Sequence, residues 1–226
     1  MRSMKILGID TSGSALSVAL LDGERLQAEY WVDHGLTHSQ RLMPLLDELL
    51  HGVGVTLEEV DAFAVAKGPG SFTGLRIGVS TAKALGFAQE KPVVGIGTLE
   101  ALCYQLPACA GLLCPMLDAR NHQVFTAVYY WDSGGLKACL KPQPMTIVEL
   151  RSWMQQRQEE IWLLGDAAGE YETLLQRSVG ARVHAAPAPL RLLRASSVAL
   201  AAWRQLQIGT MADGRLLVPE DLRKSQ

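Results

Sequence analysis

The chain has 226 residues and a formal net charge of −2, and 48% of its residues are hydrophobic while 19% are charged. This length allows one large domain or two small ones, each with a buried core. The near-neutral charge argues against strong electrostatic binding of nucleic acid, which needs a clustered basic face. The apolar runs are shorter than the roughly 20 residues of a membrane helix, and Met1–Asp10 lacks the apolar segment of an export signal. We therefore expect a cytoplasmic protein without a membrane partner.

The cysteine and histidine patterns predict no metal site. The four cysteines form no CxxC pair, so we expect reduced thiols. His34 and His38 have the spacing of two zinc ligands on one helix. However, Gly35 is a poor interior helix residue, and Thr37 with Gln40 forms a capping box that starts the helix after His34.

The first half of the chain predicts three antiparallel strands followed by helices and parallel strands. A buried strand ends at Asp10, a second ends at the Asp22-Gly23 hairpin turn, and a third follows. A helix from Thr37 has leucines at helical spacing. Then come a buried strand, the loop GPGSFTG with a helix to about Ala88, a short strand and the helix TLEALCYQL.

The second half repeats this order. A strand ends at Asp118, two further strands follow, and helices then alternate with short strands up to a last helix that ends at Gly209. The duplication predicts an α/β fold with two similar lobes facing a cleft. We place the lobes at residues 1–103 and 104–226, and the last helix, at about 194–209, is a candidate to pack back on the first lobe.

Asp10, Thr11 and Gly13 are candidate cofactor-binding residues. A carboxylate at a strand end followed by a Gly- and Ser-containing turn can hold a magnesium–phosphate group. The same residue types are also good turn formers, so a purely structural turn remains an alternative.

The stretch Gly68–Gly78 is not a standard phosphate loop. Leu75-Arg76 follows Gly74 where a Walker loop needs Lys and then Ser or Thr, and Thr73 replaces the third glycine of GxGxxG. Gly74, Gly78, Ala82 and Gly86 instead recur every four residues along one helix. Glycines inside a helix indicate that another backbone approaches closely, either from the chain's own sheet or from a second protein.

Several motifs together carry a resemblance to a known family. They are MKILGIDTSGSALSVAL, HSQRLMPLL, GPGSFTGLRIGVSTAKALG, GIGTLEAL and LDARNHQVFTAVYY. Over residues 4–131, and more loosely beyond, the chain resembles the TsaB (YeaZ) family, the accessory subunits of bacterial tRNA threonylcarbamoyladenosine (t6A) synthesis. It departs from the family's usual Pro-x-Tyr-Leu-Arg ending, since Asp221 stands where that pattern has Tyr.

The resemblance implies a two-lobed actin-like (ASKHA, ribonuclease H-like) fold, in which each lobe has a mixed sheet with an antiparallel meander and parallel strands. It implies a subunit that binds the catalytic relative TsaD, is joined by the ATPase TsaE, pairs with itself when alone and meets tRNA only indirectly. The chain itself would require no cofactor. ATP or ADP with magnesium at the partner interface stays open.

The resemblance also implies a pseudo-enzyme without catalytic residues. TsaD carries two metal-binding histidines in a His-x-Glu-Gly-His run, and aligning KPVVGIGTLEAL with that strand puts Thr98 and Leu102 in their places. Leucine cannot bind a metal and threonine is a poor substitute for imidazole, so only Glu100 of the run remains.

The partner interface implied by the family lies on the two helices at Thr37–Leu50 and Gly74–Ala88, and one surface would serve TsaD or a second copy in turn. Its candidate residues are Leu42, Leu45, Leu46, Leu49, Gly74, Leu75, Gly78, Val79 and Ala82.

Two alternatives remain. The chain could be a stand-alone actin-like-fold ATPase or small-molecule kinase that uses Asp10 and the first hairpin. More remotely, it could be a peptidase, although no metal pair or catalytic triad is apparent in the sequence.

Overall fold

The computed structural model describes residues 3–33, 37–107, 109–209 and 214–220. These residues form ten strands and six α-helices in two compact units, each with one five-stranded sheet. The strands are β1 (Lys5–Asp10), β2 (Leu16–Asp22), β3 (Arg25–Val32), β4 (Ala62–Gly68), β5 (Val93–Gly97), β6 (Leu112–Asp118), β7 (Gln123–Asp132), β8 (Gly135–Thr146), β9 (Ile161–Leu164) and β10 (Val183–Ala185). The helices are α1 (His38–Val53), α2 (Phe72–Ala88), α3 (Thr98–Cys103), α4 (Ile147–Gln155), α5 (Ala168–Val179) and α6 (Ala195–Gln207).

The sheet of the first unit has the strand order β3-β2-β1-β4-β5. β1 to β3 form an antiparallel meander, and β4 and β5 run parallel to β1. The predicted hairpin turn after Asp22 is present, with Gly23 at a φ of 64°. β1, β2 and β4 are almost wholly buried, as their continuous apolar runs predict for strands covered on both faces.

Helices cover both faces of this sheet. Apolar side chains of α1 and α2 join Leu7 and Ile9 of β1 in one hydrophobic cluster. Gly8 faces the opposite side, because side chains alternate along a strand. There α6 comes so close that a Cβ at Gly8 would overlap the carbonyl oxygen of Ala195. The first sheet is thus the middle layer of a helix–sheet–helix arrangement.

The last helix belongs to the first unit, which comprises the described residues up to Tyr104 and from Leu193 to Glu220. The backbone N–H of Ala195 donates to Ser17 Oγ at 2.8 Å. The Arg194 guanidinium pairs with the Glu29 carboxylate at 3.0 Å. These contacts fix the start of α6 on β2 and β3.

The second unit, within Gln105–Leu192, repeats the connectivity of the first. Its sheet order is β10-β9-β6-β7-β8, with β6, β7 and β8 antiparallel and β9 and β10 parallel to β6. α4 and α5 pack against its core. The predicted α/β class, with a meander and parallel strands in each sheet, is confirmed.

In the described ranges, every helix is too short or too polar for a bilayer span.

Candidate functional site

The glycine-rich loop lies against the turn that follows β1. Ser71 N–H donates to the Ser12 carbonyl at 2.7 Å, and Thr11 Oγ1 donates to the Gly74 carbonyl at 2.7 Å. A Cβ at Gly70 would overlap the Ser12 carbonyl oxygen, and one at Gly74 would overlap the Thr11 carbonyl oxygen. The close approach that the glycines permit is therefore made by this chain's own backbone.

The structure places the nine candidate interface residues in the interior of the first unit. Each side chain or glycine is buried by the strands and helices of that unit, because α1 packs on β2 and β3 and α2 packs on β4 and β1. The glycines of α2 face the turn after β1 and strand β4. The nine residues are Leu42, Leu45, Leu46, Leu49, Gly74, Leu75, Gly78, Val79 and Ala82. They support α1 and α2 from within, so a surface contact would have to use the outward side chains of the same helices.

Those outward side chains, with the buried Leu42 at its floor, line a groove between α1 and α2. Its volume is about 480 Å³. Met43 is 51% exposed and Phe72 is 48% exposed, and the Arg76 guanidinium carbon lies 4.4 Å from the centre of the Phe72 ring. We call this the α1–α2 groove, lined by Ser39, Leu42, Met43, Phe72, Thr73, Arg76, Ile77, Ser80 and Thr81.

The residues that sequence reasoning missed are the outward ones on α2. Phe72, Arg76 and Ser80 recur every four residues and therefore form a second stripe, offset from the buried glycines. The same helical periodicity that identified the glycine stripe could have found them. On α1, Met43 directly follows the buried Leu42 and so turns away from the core.

The apolar surface continues along α1. A depression of about 270 Å³ lies next to the groove and shares Met43 with it. Leu57 and Leu85 contribute to its walls, and Asp47 and His51 add polar groups. The surface is thus mixed, with apolar side chains interrupted by polar ones.

Asp10 and Thr11 are committed to the turn after β1. Asp10 is 2% exposed, and its Oδ1 accepts the Ser12 N–H at 2.9 Å. Burial raises the pKa of the Asp10 carboxyl. Hydrogen bonds from Ser12 and Thr11 and the electrostatic effect of the His38 ring oppose the shift. Of the three candidate cofactor residues only Gly13 is exposed, and its carbonyl oxygen lies 3.0 Å from His38 Nε2. This arrangement favours the structural-turn alternative.

The position that aligns with the catalytic relative's metal run lies in α3. Thr98 and Leu102 are 1% and 0% exposed. Burial raises the pKa of the Glu100 carboxyl, and Gln205, 3.5 Å away, and Lys67 oppose the shift. Among the residues that the structure describes, no group of three or more His, Cys, Asp or Glu could hold a metal ion. His34 lies outside the described residues.

Comparisons with known proteins agree on one group of related tRNA-modification proteins. The profile of the family described as "TsaD: tRNA N6-adenosine threonylcarbamoyltransferase" matches residues 35–206. The Bacillus subtilis protein named "tRNA threonylcarbamoyladenosine biosynthesis protein TsaB" is 30% identical over 223 residues, which cover 99% of this chain and 96% of that protein.

Solved structures agree with the sequence relatives. YeaZ from Pseudomonas aeruginosa superposes with a TM-score of 0.76 at 25% identity, over 96% of this chain and 99% of that one. A hexokinase of the ROK group from Thermus thermophilus has a TM-score of 0.53 at 14% identity, over 91% of this chain and 100% of that one, and so shows the actin-like fold alone. With a relative aligned along nearly its whole length and the same architecture in its two sheets, this chain belongs to the TsaB (YeaZ) family of actin-like-fold proteins.

Proposed function

We propose that this chain is a non-catalytic subunit of the machinery that makes threonylcarbamoyladenosine in tRNA. In this role it binds the transferase TsaD, with TsaE in the same assembly, and TsaD modifies the adenosine next to the anticodon. The chain meets tRNA only through TsaD. The name of the Bacillus subtilis relative supports the pathway, and the TsaD profile match supports a common ancestry with the proposed partner.

The observation that carries the proposal is the α1–α2 groove. The inward faces of both helices are already covered by the core, yet Met43 and Phe72 remain about half exposed beside Arg76. Exposed apolar side chains rimmed by polar groups are typical of protein-binding surfaces, and interface cores are enriched in aromatic residues, Met and Arg. The groove therefore fits a protein partner.

The same groove is a candidate for self-pairing. A second copy that binds through this surface would cover the residues that TsaD needs, so the two complexes exclude each other. The concentration of TsaD would then decide how much of the chain is present as a homodimer.

The non-catalytic half of the proposal rests on α3. Leu102 has no atom that can bind a metal, and the buried Thr98 hydroxyl is a weak ligand compared with imidazole. Glu100, which aligns with the retained carboxylate of the relative, lies beside Gln205. These residues do not replace the metal-binding pair that the transferase uses.

A stand-alone ATPase or kinase would need a free Asp10 carboxylate. That group is buried and accepts the Ser12 N–H, and Thr11 is bonded to Gly74. The geometry therefore supports a partner-binding role better than an independent phosphate site. Nucleotide with magnesium at the partner interface remains part of the proposal only as a ligand shared with TsaD.

The test is light scattering after size-exclusion chromatography of this chain, alone and mixed with TsaD of the same organism. Met43→Glu and Phe72→Glu place a charge in the groove without touching the core. We expect each to weaken TsaD binding at least about tenfold, because truncating or charging an interface hot spot costs about 2 kcal/mol or more.

The matched control is Leu174→Glu. Leu174 is a 47% exposed leucine on α5 of the second unit, so the change adds the same charge at a similar exposure. We expect it to bind TsaD like the unmodified chain. The proposal fails if the unmodified chain forms no complex, or if the groove variants bind as well as Leu174→Glu does.

A further inference from the structure

The segment Leu217–Glu220, which we call the C-terminal strap, crosses the carboxyl end of β4. The Glu220 N–H donates to the Lys67 carbonyl at 2.6 Å, and the Glu220 carboxylate lies 3.5 Å from Lys67 Nζ. Gly68 has a φ of 123°, and a Cβ there would overlap the Glu220 carbonyl oxygen. The strap therefore touches the backbone where the glycine-rich loop begins.

The other end of the strap is held by β5 and α2. The Leu217 side chain packs against the apolar core cluster of the first unit, and it lies where a Cβ of Gly95 would be. The Leu217 carbonyl accepts a hydrogen bond from Lys83 Nζ at 3.0 Å. The strap thus connects β4 and α2, the two elements on either side of the loop, with β5, the parallel neighbour of β4.

The loop Gly68–Ser71 consequently has two supports. On one side Ser12 accepts the Ser71 N–H and lies against Gly70. On the other side the strap holds Lys67 and Gly68. The loop leads directly into Phe72 and Arg76, the outward residues of α2 in the α1–α2 groove.

We propose that the C-terminal strap is a latch that fixes the glycine-rich loop, and thereby the first turn of α2, in the form that the partner binds. The partner half of this inference rests on the proposed function. With the strap docked, Phe72 and Arg76 are presented on a fixed helix start. With the strap released, the loop loses one support and the partner must order it on binding, which lowers affinity.

The contacts that hold the strap are weak enough for the strap to detach from the first unit. The side chains of the Lys67–Glu220 pair are 35% and 44% exposed, and such surface pairs contribute little to stability. Leu217 is the strap's contact with the apolar core cluster, whereas Leu216 and Val218 beside it are 78% and 67% exposed. Segments with few buried apolar contacts open locally at low free-energy cost.

The experiment compares two shortened chains by hydrogen–deuterium exchange and by affinity for TsaD. One chain ends after Leu216 and lacks the strap, while the control ends after Glu220 and keeps it. Without the strap, we expect amides in Lys67–Leu75 to exchange at least about tenfold faster and TsaD affinity to fall at least about tenfold. The control should match the full chain, and unchanged exchange in Leu112–Asp118 would show that the fold persists.

A full-length variant keeps the test independent of truncation. Lys83→Met combined with Glu220→Gln removes the charged groups of two strap contacts but leaves the chain at its full length. We expect the same two effects in the same direction, at roughly threefold each, because these are partly exposed polar contacts.

Two results would overturn the latch. One is equal loop exchange in the two shortened chains, and the other is faster loop exchange in the shorter chain with unchanged TsaD affinity. If even the full chain fails to bind TsaD, the proposed function is wrong, and loop exchange alone then decides whether the strap holds the loop.

Discussion

The Thr11 hydroxyl donates a hydrogen bond of 2.7 Å to the Gly74 carbonyl, although 63 residues separate the two in the chain. Thr11 is 0% exposed, so water does not compete for this bond. The bond joins the turn after β1 to the first turn of α2 and needs the glycine, because a Cβ at position 74 would overlap the Thr11 carbonyl oxygen. The glycine stripe therefore stabilises the inside of the first unit while the opposite stripe of α2 faces outward.

Gly74→Ala tests this internal role. The added methyl meets backbone rather than a movable side chain, so we expect a loss of about 1–3 kcal/mol in the free energy of unfolding. The measurement is urea unfolding, with Ser80→Ala, an exposed change on the same helix, as the control. Equal stability of the two variants would show that α2 does not need the glycine for close packing.

Asp10→Asn tests the buried carboxyl. Its pKa is raised by burial above the ordinary 3.8, so the protonated form favours the fold and this contribution is lost as the pH rises through the folded-state pKa. Asparagine retains an oxygen that can accept the Ser12 N–H but does not titrate. We therefore expect the stability of Asp10→Asn relative to the unmodified chain to rise as the pH is raised above the ordinary value of 3.8.

Urea unfolding at several pH values measures that difference. Ser14→Ala, an exposed change close to Asp10 that neither adds nor removes a titratable group, is the control and should give a flat curve. A pH-independent difference for Asp10→Asn would mean that Asp10 is not desolvated in the folded chain.

Ser17→Ala tests the attachment of α6. Ser17 is 0% exposed and its hydroxyl oxygen accepts the Ala195 N–H, so the variant leaves a buried donor unpaired. We expect a loss of about 1–3 kcal/mol, seen as a lower midpoint of thermal unfolding. The exposed change Ser14→Ala should leave the midpoint unchanged, and an equal effect of both changes would contradict the role of this bond.

Cysteine alkylation tests the interior of the second unit. Burial raises the pKa of the Cys114 thiol to about 12. Burial also raises the pKa of the Cys139 thiol, but this residue is exposed and Cys114 is buried. Since the thiolate is the reactive form, we expect iodoacetamide at pH 8 to modify Cys139 at least about a hundredfold faster than Cys114. Peptide mass spectrometry gives both rates, and unfolding in urea should bring them together.

Much of the fold could be predicted because the signals are local. Continuous apolar runs identified the buried strands, and Asp22-Gly23 identified a hairpin. α1 begins after Thr37 as predicted, although Thr37 makes no side-chain cap, and instead its backbone carbonyl accepts the Gln40 N–H.

The part of the site that could not be predicted from the sequence depends on long-range packing. The glycines of α2 indicated that another backbone packs closely, but nothing in their spacing shows that this neighbour is Thr11 rather than another protein. Likewise, the α1 leucines were expected at an interface, whereas the sheet of their own unit covers them. Which face of a helix is left outward depends on where the sheet lies, and a single helix pattern does not contain that information.

The packing of α6 on β1 also affects the order in which the two units can fold during synthesis on the ribosome. Gly8 leaves the ribosome early, but the Ala195 backbone that covers it is made 187 residues later (195 − 8). At 5–20 residues per second this is a delay of roughly 10–40 s. Throughout that time the part of the first sheet around Gly8 lacks its covering helix, although α3 already packs on β4 and β5. The second unit, continuous from Gln105 to Leu192, can meanwhile close its core. The nascent chain should therefore complete its second unit first, because the first unit needs residues from both ends of the chain.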